Sequence, residues 1–299
     1  MATLRDIRRR IKGVQNTEQI TKAMKMVAAA KLRRAQENVV SARPYARKIS
    51  GLVNHLLTDE LSETNPFLVE KTIKKVLVVV LTSDRGLCGA FNANILKEAV
   101  RFIGEELSPL SPPMGEVGLI EYSMYCIGKK GFDFFRKRDY AIAGNTLGVF
   151  GHLKFADALA ISNEIISGYL KGEYDKIVVV YNEFKSVVRQ EIVREQFLPI
   201  SFGETEKVKH SSIDYIFEPS QKEIIDSLLP QHLHSQMWRM LLESNASEYG
   251  ARMTAMDNAS TNAKELIRSL KITYNKARQA AITKEILEVV SGANASKSA

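Results

Sequence analysis

The sequence predicts an α/β domain inserted between two long terminal helices that pair as an antiparallel coiled coil. Three features carry that expectation: narrow apolar seams at both ends of the chain, continuous β-branched runs in its middle, and alternation of strand-like and helix-like segments between those runs.

The first segment, Met1–Leu57, contains one proline, Pro44, and two glycines, Gly13 and Gly51. Leu4, Ile7, Ile11 and Val14 step by three and four, and the pattern returns as Ala28, Leu32, Ala35, Val39, Ala42, Ala46, Ile49, Val53 and Leu56. Such a stripe is the seam of a coiled coil rather than the broader face of a globular helix. Between the two stretches the seam is expected to slip phase through Thr17 and Thr21, altering the supercoil locally. At about 1.5 Å per residue the helix spans on the order of 80 Å. Pro44 removes one backbone hydrogen bond and is expected to bend it.

The middle, residues 72–202, has another texture. Lys75–Thr82 is a β-branched run suited to a parallel sheet covered on both faces. Asn92–Leu107 reads as a helix, Ser108–Pro113 as a proline-rich loop, Val117–Ile127 as a strand and Lys129–Lys137 as a helix. Phe155–Leu170 reads as a helix, Lys176–Phe184 as a second buried strand, and Val187–Leu198 as an extended, more exposed one. This alternation indicates a Rossmann-like α/β layer fold. Residues 203–219 then form a connecting strand or loop.

The last segment runs from Ser220, with Glu223 placed as in a capping box, to Ser291. Gly292 is expected to stop the helix and Ala293–Ala299 to fray. Its seam reads Ala255, Ala259, Ala263, Leu266, Leu270, Thr273, Ala277, Ala280 and Leu287, with Lys284 interrupting. Over residues 220–292 the helix exceeds about 100 Å. Pro230 marks an early kink or the true start. Two long helices, each with one narrow seam, need a long partner, and the simplest partner is the other one.

The 299 residues, 45% apolar, can bury a substantial core. The longest apolar run, Val76–Leu81, is far short of the roughly 18–20 residues of a membrane span. The N-terminus lacks the apolar stretch of a secretory signal, and Asp6 argues against a transit peptide, so a cytoplasmic chain is expected. The two cysteines, Cys88 and Cys126, read as buried reduced thiols. The net charge of +8 is uneven: Met1–Leu57 holds 13 Lys/Arg against 3 Asp/Glu, so the excess lies in the first helix. A basic helix points to an acidic partner.

Thr82-Ser83-Asp84-Arg85-Gly86-Leu87-Cys88-Gly89-Ala90-Phe91-Asn92 follows the first strand and precedes a helix, the place where α/β folds hold phosphates. Its spacing matches neither GxxxxGK[ST] nor GxGxxG. Cys88 as a nucleophile would need a neighbouring base. Gly86 and Gly89 are read as permitting a tight turn and close packing. His232 and His234, two apart, diverge on a helix and do not form a zinc pair. Trp238 reads as packing. Aromatic residues do not interleave with the basic residues of the first helix, so nucleic-acid binding would rest on charge alone.

Three blocks carry a resemblance. The first is Ile7–Ile11 with Val14–Lys31. The second is Ser83–Gly89. The third is Glu243–Glu248, Ala251–Ala259 and Tyr274–Glu285. In this order, and across the whole chain, the sequence resembles the gamma subunit of F-type ATP synthase in its bacterial form. The resemblance implies two terminal helices in an antiparallel coiled coil around an inserted Rossmann-like domain. It also implies a central rotor shaft, with alpha and beta subunits (the alpha3-beta3 hexamer), the epsilon subunit and the membrane c-ring as partners. It implies no cofactor, no metal and no catalysis by the chain itself, and an indirect, peripheral membrane association at the cytoplasmic face. Lys22, Met24, Arg278, Gln279, Thr283 and Glu285 sit in matching motifs as contacts with the alpha–beta ring. The foot on the c-ring is assigned to Arg33–Arg47 and Gly203–Ser212. The inserted regulatory cysteine pair of the plastid branch is missing. The rival readings are a nucleotide-binding α/β enzyme, which nucleotide binding by the isolated chain would favour, and a basic coiled-coil adaptor, which salt-dependent DNA or liposome binding would favour.

Overall fold

The structure, a computed structural model, describes residues 3–56, 65–69, 71–107, 120–187, 189–201, 218 and 220–297, the last four as backbone only. The expected loop Ser108–Pro113 and the foot loop Gly203–Ser212 lie outside the described residues. Contacts divide the chain into two units, residues 1–28 with 253–299, and residues 29–252. Helices α1 (Leu4–Leu56) and α5 (Gln221–Lys297) contribute to both.

The larger unit is a sheet between helical layers. Its strands are β1 (Lys75–Leu81), β2 (Glu121–Ile127), β3 (Ile142–Thr146), β4 (Lys176–Phe184) and β5 (Gln190–Leu198). They lie in the order β3-β2-β1-β4-β5, with β5 alone antiparallel. Helices α2 (Phe91–Phe102), α3 (Lys129–Arg136) and α4 (Phe155–Leu170) fill the crossovers. Strand β1 is apolar and buried from Val76 to Leu81 because both of its faces are covered. Val76, Val78 and Val80 pack with Phe91, Ile95 and Phe102 of α2 and Phe135 of α3. Leu77, Val79 and Leu81 pack with Ile161 and Ile165 of α4, Val53 and Leu56 of α1, and Leu229, Leu233 and Met237 of α5.

Several expectations need correction. Helix α2 stops at Phe102 and passes into a single π turn, Ile103–Leu107. Strand β3 and the 3₁₀ turn Val149–Gly151 were not foreseen. Pro230 lies inside α5, which starts at Gln221 and runs through Gly292 to Lys297. Glycine lowers helix propensity by about 1 kcal/mol but does not force a stop. Cys88 and Cys126 are both buried free thiols.

The smaller unit pairs the start of α1 with the end of α5. Arg8 Nη2 donates to Tyr274 Oη at 2.6 Å, the Thr21 and Ser260 hydroxyls are 2.8 Å apart, and Lys25 Nζ is 2.6 Å from Asp257 Oδ1. Moving forward on α1 moves the partner backward on α5, so the pair is antiparallel. The burial pattern corrects both seams. On α1 the sheltered positions continue as 14, 18, 21, 25 and 28, without the expected slip. Glu18, Thr21 and Lys25 occupy the seam there, while Thr17 is exposed and bonds the Gly13 carbonyl at 3.1 Å. On α5 the seam reads Met256, Ser260, Ala263, Ile267, Leu270, Tyr274 and Ala277. Leu266, Thr273, Ala280 and Leu287 are exposed. The observed seam lies one residue later than expected at Met256, Ser260, Ile267 and Tyr274, and coincides with the expected stripe at Ala263, Leu270 and Ala277.

This register makes a direct prediction. The double variant Thr21→Cys/Ser260→Cys should close a disulfide on mild oxidation, read as a mobility shift on a non-reducing gel, because the two hydroxyls already stand at bonding distance. Thr21→Cys/Ile267→Cys, about 10 Å out of register along the helix, should stay reduced. Equal cross-linking of both pairs would refute the register.

Candidate partner-contact surface

The motif loop after β1 is consumed by its own structure. Ser83 N donates to Asn92 Oδ1 at 2.9 Å, and Asn92 Nδ2 donates to Ser83 Oγ at 2.7 Å and to Cys88 Sγ at 3.2 Å. The Asp84 carboxylate accepts from the backbone N–H groups of Lys129 at 3.1 Å, Gly148 at 2.8 Å and Phe150 at 3.3 Å. Thr82 Oγ1 accepts from Gly131 N at 2.8 Å. The side chains of Thr82 and Asp84 thus join the ends of three parallel strands. Gly89 takes a positive φ of 60° here, as does Leu87 at 66°, whereas Gly86 does not. Tightness of the turn therefore rests on Gly89 and Leu87 rather than on both glycines.

The histidines serve packing. Ser162 Oγ donates to the Ala158 carbonyl at 2.7 Å, so it accepts from His234 Nδ1, also 2.7 Å away. Burial, helped by Arg239, pushes His232 down to about 4 and keeps it neutral at physiological pH. Trp238 packs edge-on against Phe155, with centroids 5.8 Å apart. Burial on strand β2 pushes the Cys126 thiol up to about 12.

The six proposed contact residues all fall in the smaller unit, on its surface. Lys22, Arg278, Gln279, Thr283 and Glu285 are exposed, and Met24 is half-buried. They form two bands. Counting from the Arg8–Tyr274 contact, Arg278 stands level with Leu4, so Lys22 and Met24 lie roughly 25–30 Å along the pair from it. Lys25, a natural candidate for an outward cation, is instead engaged by Asp257. Threonine hydroxyls turn back on their own helix: Thr273 Oγ1 bonds the Ser269 carbonyl at 3.1 Å and Thr283 Oγ1 the Gln279 carbonyl at 2.9 Å. Their methyl groups are left outward, which gives a smooth surface.

From Gln279 onward α5 has no α1 residue beside it among the described residues. Ile282, Ile286 and Val289 recur at helical spacing on that stretch and are 47%, 57% and 71% exposed. Sequence reading missed this face because it sought a seam against α1. It also missed a basic face in the larger unit. There Lys97, Arg101, Lys130, Lys137 and Arg138 gather with one acid, Asp133, around a groove of 710 Å³ between α2 and α3. These residues come from α2, α3 and the turn after α3, so a count along the chain sees only near-balance.

No helix of the described residues is long and apolar enough to cross a membrane. A family model described as ATP synthase matches residues 3–295. The chain is 54% identical over 297 residues to the ATP synthase gamma chain of Chlorobium phaeobacteroides (strain BS1), covering 99% of each. It is 53% identical over 298 residues to that of Chlorobaculum tepidum, covering 99% of this chain and all of the other. Among solved structures, a chain of the Euglena gracilis mitochondrial ATP synthase, in an assembly of OSCP, F1 and c-ring, superposes with a TM-score of 0.66 at 24% identity, over 98% of this chain and 94% of the other. A chain from the central stalk and c-ring of the Tetrahymena thermophila enzyme gives 0.61 at 24% identity, over 81% and 99%. With the antiparallel terminal helices and the five-stranded α/β sheet, these likenesses show that the chain belongs to the ATP synthase gamma chain family.

Proposed function

We propose that this chain is the central rotor shaft of an F-type ATP synthase, passing rotation of the proton-driven c-ring to the catalytic sites of an alpha3-beta3 hexamer without catalysing a reaction itself. The observation that carries it is the smaller unit: an antiparallel helix pair that ends in one helix with a bare apolar face. An apolar helical face in water is a face awaiting a partner. A smooth apolar tip inside a collar of subunits holds the axis while permitting rotation, because apolar contact is non-directional. Lys22 and Met24 form one contact band with the ring, and Arg278, Gln279, Thr283 and Glu285 the other. Both bands are exposed or half-exposed, and two separated bands would define an axis better than one. The epsilon subunit and c-ring engage the rest of the assembly, which is peripheral to the membrane at its cytoplasmic face.

Copurification tests the reading: the chain should elute with alpha and beta subunits at one copy per hexamer. In that complex Ile286→Glu/Val289→Glu should lower coupled ATP synthesis about tenfold or more, since charges are forced into apolar contact. Circular dichroism of the separate chain should be unchanged. A chain that elutes alone, or a tip variant with undiminished synthesis, would count against the shaft.

A further inference from the structure

We propose that Arg239, clamped by Glu195 and Tyr181, is the positioning residue that locks helix α5 to the sheet against twisting, so that turning force applied to the sheet passes into the helix. The proposal rests on the rotor reading above and adds the place where load is carried within residues 29–252.

Most of the contact between α5 and the sheet is apolar: Leu229, Leu233, Met237 and Leu241 meet Ile177 and Val179. Such contacts hold two surfaces together but resist sliding weakly, and methionine adapts to a shifted neighbour. Arg239 differs in kind. Its Nη2 donates to Glu195 Oε1 at 2.6 Å and Oε2 at 2.8 Å, its Nη1 to Tyr181 Oη at 3.0 Å, and its Nε to Gln236 Oε1 at 2.8 Å. Tyr181 Oη in turn donates to Glu195 Oε2 at 2.8 Å. The ring of bonds therefore closes over α5, β5 and β4. Every nitrogen of the guanidinium is engaged, and the fork fixes orientation as well as distance.

The anchor point is rigid. Val179 faces Glu195 and Tyr181 faces Val193 across the β4–β5 ladder, so Tyr181 and Glu195 are diagonal neighbours on one face. Strand β4 is bonded on both sides, by β1 and by β5. Tyr181 is 1% exposed, and burial beside Glu195 pushes its phenol far above its ordinary range, so it remains the donor. Among the described residues this is the one ion pair joining α5 to the sheet. A second charged contact on the same 580 Å³ cavity, Arg43 of α1 with Glu243 of α5 at 3.6 Å, ties the two helices together at that level. A displacement of α5 by about 1 Å would break hydrogen bonds of this geometry while leaving the apolar contacts intact.

The test measures torsional stiffness in the assembled enzyme. Alpha and beta subunits are fixed to a surface, a bead is attached through Lys171→Cys, in the exposed turn between α4 and β4, and the angular fluctuation of the stalled shaft is recorded. Arg239→Met/Glu195→Met removes both charges and keeps packing, so assembly and thermal midpoint should stay close to wild type. The angular variance should at least about double, and Arg239→Lys, which keeps a charge but loses the fork, should fall between. Tyr181→Phe, which leaves the ion pair in place, should widen the distribution slightly. If the double variant does not assemble, Arg239→Lys and Tyr181→Phe decide the matter. Unchanged widths in the variants that assemble overturn the lock. A wild-type bead that never turns on addition of ATP would instead overturn the rotor reading.

Discussion

Replacing Gly128 with alanine should strongly destabilise the sheet. Gly128 follows β2 at φ 96° and ψ 145°, a region open to glycine and closed to L side chains. An added Cβ would stand 2.0 Å from the Thr82 carbonyl oxygen and 2.8 Å from its carbon. Those atoms cannot retreat. Thr82 follows the central strand, its N–H bonds the Ile127 carbonyl at 2.8 Å, and its hydroxyl holds Gly131 N at the start of α3. Gly128 N is itself bonded to the Thr146 carbonyl at 2.8 Å, which fixes β3. Backbone strain and overlap together should cost more than about 4 kcal/mol, a large share of the 5–15 kcal/mol that holds a domain. Gly172→Ala is the control. Its φ is 77° but its surroundings are open, so only strain of about 1 kcal/mol applies. Urea unfolding followed through Trp238, the only tryptophan in the chain, distinguishes them. Equal midpoints for the two variants would show that the close approach at Thr82 is not needed.

The same contrast explains what could be read from the sequence. Strands β1 and β4 announce themselves because both faces are buried, so Val76–Leu81 and Ile177–Tyr181 are unbroken apolar runs. Strand β3, Ile-Ala-Gly-Asn-Thr, does not: it is short, lies at the sheet edge and is only half-buried. Its Gly144 is there because a Cβ would lie 2.5 Å from the Tyr125 ring. Periodicity found both terminal helices and most of the α1 seam, since Ala28 through Leu56 step without error. It failed where polar residues sit in the seam. Glu18, Thr21 and Lys25 keep heptad spacing, but a search for apolar positions passes over Glu18 and Lys25, takes Thr17 with Thr21, and reports a slip. The value of Thr21 and Lys25 lies in cross-helix bonds to Ser260 and Asp257, which depend on register and appear only once the helices are paired. Arg239 escaped for the same reason, because its partner Glu195 is 44 residues away on an edge strand. The apolar face at Ile282, Ile286 and Val289 was visible as letters but not as a surface, because its meaning comes from α1 ending beside Leu4.

Changing Glu248 to glutamine should stabilise the protein above pH 7 and do little below pH 4.5. Glu248 is 5% exposed on α5, with Arg252 Nη2 2.5 Å from its Oε1. The charges facing it are Arg252 on the same helix, Lys31 on α1, which lies over the Tyr249 ring, and Asp84 on the loop after β1. Burial is the largest influence and Asp84 adds to it. Together they outweigh Arg252 and Lys31 and raise the carboxyl from 4.5 to about 7. With the folded value above the unfolded one, the native state binds the proton more tightly. The stabilisation from Glu248 is therefore complete below about pH 4.5 and is lost as pH rises through 7. At pH 8 wild type carries a desolvated carboxylate that glutamine does not, so Glu248→Gln should gain on the order of 2–3 kcal/mol there. Urea titrations of wild type and variant at pH 4.5, 6 and 8 should diverge steadily. Should the variant lose stability equally at all three, Glu248 would be ionised throughout and the ion pair with Arg252, rather than burial, would govern this turn of α5.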